Sequence, residues 1–112
     1  MKKIKTVTLA IAIITLLVCL TVGIQAQDAA AGKAVYGKKC QSCHGADGGG
    51  NPGIAKAMNV ELKPLGSAEI QGKSDADLKK VITAGFGKMK PVTGVADKDV
   101  SDVVAYIRTL KK

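Results

Sequence analysis

The sequence predicts a single all-α domain. Three segments place apolar residues at helical spacing, and no stretch sustains the period-two alternation and hairpin turns of strands. A chain of 112 residues, 46% hydrophobic and 23% charged, has the size and balance of one compact domain.

Ahead of that domain, Met1-Lys2-Lys3-Ile4-Lys5 precedes an uncharged apolar run from Thr6 to Ile24, and Gln25-Ala26-Gln27-Asp28 follows. This order reads as a signal peptide over residues 1–26, cut after Ala26, with residues 27–112 as the mature domain. The run is longer than the usual apolar core of a signal and Ile24 is bulky, so an uncleaved membrane anchor is the alternative. Cys19 lies inside the run and is read as leader. Removing residues 1–26 takes Lys2, Lys3 and Lys5 and no acid, so the formal charge falls from +8 to +5.

The first helix is expected from Ala29 to Cys40, with Asp28 as its N-cap. Gly45 to Gly53, rich in glycine and holding Pro52, is a loop that could press close to a flat ligand. Ile54 to Leu65 reads equally as a short helix or a loop. Ser74 followed by Asp77 resembles a capping box, and Leu78, Val81 and Ile82 form the stripe of a second helix that stops at Gly85. Phe86 to Val95 is irregular around Met89. The last helix starts near Asp97, with Asp99 and Asp102 near its positive end. Val100, Val103, Val104, Ile107 and Leu110 form its buried stripe.

The mature part has Tyr36, Phe86 and Tyr106 as its only aromatics and no Trp. A domain so small with so thin a core commonly needs a disulfide, metal or cofactor. Cys40-Gln41-Ser42-Cys43-His44 supplies one: C-x-x-C-H is the form of a c-type haem attachment site. Two thiols three residues apart can each add to a haem vinyl group, and His44 can offer a ring nitrogen to the iron. Zinc fails on ligand count, because two cysteines and one histidine remain in residues 27–112. A thioredoxin-type motif belongs in a strand–helix unit that this chain lacks. A disulfide across so small a loop would stabilise little.

For the second axial position the chain offers Met58 and Met89, since there is no second histidine and Met1 leaves with the leader. Either could be core filler. The glycines and Pro91 around Met89 make a helix-free segment able to wrap a haem face, whereas Met58 follows His44 closely in an apolar-spaced piece.

The chain resembles the class I c-type cytochromes, small bacterial monohaem electron carriers. The resemblance rests on Gly32-x-x-x-Tyr36, Cys40 to Gly45, Asp47-Gly48-x-Gly50, Ile82-Thr83-Ala84-Gly85, Gly87-Lys88-Met89-Lys90-Pro91 and Val103-Val104-Ala105-Tyr106-Ile107, in that order across residues 28–112. It implies the cytochrome c fold, three main helices plus loops around one covalently bound haem c, attached through Cys40 and Cys43. It also implies iron ligated by His44 and Met89. First and last helices should cross closely, with Gly32 and Tyr106 as the small and aromatic residues at the contact. Pro52 is the proline placed to accept the other ring N–H of His44. Many relatives have Met followed directly by Pro; here Lys90 intervenes, and a local change is expected rather than loss of ligation.

The resemblance implies a one-electron carrier in a respiratory or related chain rather than an enzyme, with His/Met ligation and burial raising the potential. Such a protein is expected to be periplasmic or exported and monomeric, and to meet redox protein partners. Lys38, Lys39, Lys56, Lys88 and Lys90 read either as an ordinary solvated surface or as a patch that steers acidic partners. Nucleic-acid binding is not expected, because the basic residues lack aromatic interleaving. Two other readings stay open: a haem enzyme or gas sensor with an open sixth position, and a membrane-tethered cytochrome subunit of an oxidoreductase.

Overall fold

The computed structural model describes residues 3–7 and 27–112. The apolar run, Cys19 and the expected cut after Ala26 lie outside the described residues, among which no helix is long and apolar enough to cross a membrane. Residues 3–7 are helical. The domain then consists of α1 (Ala29–Lys39), α2 (Gln41–His44), α3 (Pro52–Met58), α4 (Ala68–Gln71), α5 (Asp75–Ala84) and α6 (Asp97–Thr109). No strand occurs among the described residues; Phe86 and Met89 form an isolated antiparallel bridge. The all-α expectation holds, with three short helices added to the three main ones.

Local signals set the boundaries of the long helices. Asp28 caps α1, its carboxylate accepting from the N–H groups of Ala30 and Ala31 at 2.9 and 3.0 Å. Ser74 Oγ caps α5 by accepting from Asp77 N–H at 3.1 Å, and Gly85 ends that helix at φ +79°. Asp99 Oδ2 accepts from Ala96 N–H at the start of α6.

α1 and α5 both pack on α6. Leu78 and Ile82 of α5 meet Val100, Val103, Val104 and Ile107 of α6 in one buried cluster. Val81 and Leu110, expected in the same stripes, are half-buried. The α1–α6 approach depends on Gly32: a Cβ there would lie 1.9 Å from the Asp102 carbonyl oxygen and 2.8 Å from Val103 N. The small residue of the crossing therefore meets backbone, and Tyr36 of α1 packs on the aromatic of α6. Its ring lies 5.1 Å from that of Tyr106 at an interplanar angle of 59°, a tilted arrangement that aromatic quadrupoles favour.

Asp102, expected near the positive end of α6, is also buried, at 2% exposure. Its Oδ1 accepts from Asp28 N–H at 2.8 Å and its Oδ2 pairs with Lys98 at 2.7 Å. These two contacts hold the carboxyl below its ordinary range, the Asp28 hydrogen bond most of all. At the other end of α6, the Arg108 guanidinium binds Asp75 and the carbonyls of Gln71 and Lys73, fastening the α4–α5 link.

Candidate functional site

α1 delivers the chain to the cysteines. Its helix breaks at Cys40, where φ is −121° and ψ −34°, and Cys40 becomes the N-cap residue of α2. The N–H groups of Cys43 and His44 both donate to the Cys40 carbonyl, at 3.2 and 3.0 Å. Cys40, Cys43 and His44 therefore occupy one helical turn, where residues three and four apart are neighbours. Both cysteines are free thiols and half-buried.

The following loop folds back on this turn. Gly50 N–H donates to the His44 carbonyl at 2.7 Å and Asn51 N–H to that of Cys43 at 2.9 Å, while Asn51 Nδ2 reaches the Ser42 carbonyl at 3.1 Å. Asn51 Oδ1 also caps α3 through Gly53 and Ile54 N–H. Tyr36 binds the end of the turn to the core, its hydroxyl donating to the Gly45 carbonyl at 2.6 Å. Burial, with smaller contributions from Cys40 and Tyr106, pushes that hydroxyl up to about 12, so it stays a donor at neutral pH.

Two glycines of the loop are pressed against leucines outside it. A Cβ at Gly48 would lie 2.9 Å from Leu110 Cδ1, and one at Gly50 would lie 3.0 Å from Leu62 Cβ. Both residues also have positive φ, at 77° and 93°. The loop is thin because leucines press on it.

His44 is half-buried, and burial lowers its pKa, favouring the neutral imidazole that can ligate a metal. Its Nδ1 is buried without a hydrogen-bond partner. Pro52 does not accept from it: Pro52 is the first residue of α3, and a carbonyl in the first turn of a helix points along the axis toward the next turn. Burial also raises the Cys40 thiol, with a smaller effect from Cys43.

Met89 stands at the end of a four-residue turn after α5. Phe86 and Met89 exchange two backbone hydrogen bonds, at 3.0 and 2.9 Å, with Gly87 and Lys88 at the tip. Met89 is half-buried, while Met58, the last residue of α3, is 36% exposed. Lys88 Nζ donates to the Met58 carbonyl. One end of α3 is thus tied to the cysteine turn and the other to the turn carrying Met89, a connection that the ambiguous stretch after the glycine loop did not reveal in sequence.

An apolar crevice of about 10 Å³ behind Cys40 is lined by Val35, Ile82, Val92, Val95, Val100 and Val103, with Lys39 at its rim. It is a packing gap. A wider depression of about 410 Å³ runs between Gly49 and Leu62, but none of Cys40, Cys43, His44 or Met89 lines it. No group of three or more His, Cys, Asp or Glu placed to hold a bare metal ion occurs among the described residues. The donor set itself fits a covalently held haem: two free thiols and one neutral, half-buried imidazole on a single turn.

A family model described as Cytochrome c matches residues 29–111. Cytochrome c-554(547) of Halothiobacillus neapolitanus is 35% identical over 91 residues, spanning 77% of this chain and all of that protein. Among solved structures, the KustC0563 c-type cytochrome aligns with a TM-score of 0.61 at 26% identity, over 72% of this chain and 98% of its own.

Proposed function

Because the chain belongs to the cytochrome c family, whose members carry covalently bound haem c and transfer electrons, we propose that it is a monohaem carrier. In this reading Cys40 and Cys43 hold the haem by thioether bonds, and His44 and Met89 ligate its iron. The observation that carries the reading is the single turn bearing two free thiols and a neutral imidazole. When bound, the haem supplies one-electron chemistry between ferrous and ferric iron.

The chain's own residues do the rest. The turn is braced at four carbonyls by Gly50, Asn51 and Tyr36, which fix the backbone from which the imidazole projects. Its burial keeps the proton off the ligating form. Met89, a soft thioether, favours the reduced metal and raises the potential. His44 and Met89 would together hold the iron, and the haem would supply one-electron transfer rather than chemistry on a bound substrate. Lys38, Lys39, Lys56, Lys88 and Lys90 bias encounters toward acidic redox partners, with Lys88 also donating to the Met58 carbonyl. The leader is cut after Ala26, and residues 27–112 work outside the inner membrane as a monomer.

Native mass spectrometry tests the first part: a chain lacking residues 1–26 and heavier by one haem is expected. Absorption spectroscopy tests the second. The ferric protein should show the methionine-to-iron charge-transfer band and the ferrous protein should resist carbon monoxide. A protein without that band that binds carbon monoxide readily would be a haem enzyme or gas sensor instead.

A further inference from the structure

Among the described aromatics, Phe86 alone has no protein surface to cover it. It is 77% exposed, whereas Tyr36 is buried and Tyr106 packs against it. Exposure of one ring is ordinary by itself; what gives this one meaning is the turn that carries it. Phe86 and Met89 are directly opposed and exchange both hydrogen bonds. Side chains of such a pair project from the same face, their Cα atoms about 5.5 Å apart. The tip between them is fixed by Lys88, whose Nζ binds the Met58 carbonyl at the end of α3. The phenyl ring and the thioether are therefore presented together, by one turn, to one side.

Resting on the reading of Met89 as an iron ligand, we infer that Phe86 covers the haem beside Met89 and keeps water and small ligands from the sulphur–iron bond. An apolar ring there lowers the local polarity, which favours the reduced metal. It also makes displacement of Met89 by an outside ligand harder, since the incoming group must move the ring.

The test compares holoprotein of wild type, Phe86→Ala and Phe86→Leu. Imidazole is expected to bind ferric Phe86→Ala roughly tenfold more tightly than wild type, and the midpoint potential to fall. Phe86→Leu, which restores an apolar side chain, should recover most of both effects and serves if the alanine variant folds poorly. An intact charge-transfer band with unchanged imidazole affinity and potential in both variants overturns the inference, including the case in which only the reaction with a protein partner slows. A wild-type protein without the band overturns the ligand reading itself, a failure visible before any Phe86 variant is made.

Discussion

The domain divides into a half that the chain packs by itself and a half that it fastens. α1, α5 and α6 hold every buried residue assigned to a helix, whereas α2, α3 and α4 bury none. In the first half stability comes from apolar area around Val104, which is fully covered. In the second, position is set by hydrogen bonds at carbonyls: Gly50 on His44, Asn51 on Cys43 and Ser42, Tyr36 on Gly45, Lys88 on Met58. Such bonds each contribute about 1 kcal/mol net, so they direct the chain more than they stabilise it. The contrast teaches that fold and site can be perturbed separately.

The division is broken most directly at the α1–α6 crossing. Gly32→Ala should cost about 3 kcal/mol or more by denaturant titration, because the new methyl meets backbone that cannot retreat. Ile107→Ala should cost about 3 kcal/mol by the same measurement, through lost burial and a cavity. Neither should remove the methionine-to-iron band under folding conditions; if the band vanishes with the first increments of denaturant, the halves are not separable. Met89→Ala should do the reverse, leaving the far-ultraviolet circular dichroism intact while the ferrous protein gains carbon monoxide binding.

Acid sharpens the comparison from the core side. The folded Asp102 carboxyl lies below its unfolded value, so its stabilisation is complete above about pH 4, the ordinary carboxylate range, and is lost as pH falls through the folded value. Wild type should therefore melt above Asp102→Asn at neutral pH, and the gap should close on acidification. A gap that persists at the lowest pH would assign the effect to packing instead. The smallest expected effect is on encounter: the rate with an acidic redox partner should fall as ionic strength rises, and a flat dependence would remove the lysine patch.

The same division explains what was legible in the sequence. Stripes such as Leu78/Ile82 and Val100/Val103/Val104/Ile107 write burial into periodicity, so α5 and α6 could be bounded from their residues and caps. α2 and α4 have four residues each and bury none, so no period announces them. α3 was ambiguous for the same reason, and its start is set by the Asn51 cap and Pro52. The burial of Asp102 was not legible because its partner, Asp28, is 74 residues away, and no local rule distinguishes a buried carboxylate from one that faces a helix dipole. That Cys40, Cys43 and His44 share one turn was legible because residues three and four apart are neighbours on a helix. The bracing by Tyr36 and Asn51 was not, since a hydroxyl or amide reaching a backbone carbonyl leaves no pattern.

Gly32 and Asp102 also decide when the domain can close. Both contacts join the first helix to the last, so a chain still short of α6 has nothing for α1 to pack on. Bringing such distant segments together is the slow part of folding. Until then Cys40 and Cys43 stand at the end of one unpacked helix, open to whatever modifies them. The order in which the chain emerges, amino end first, thus gives the thiols an interval of access that ends when the final helix arrives.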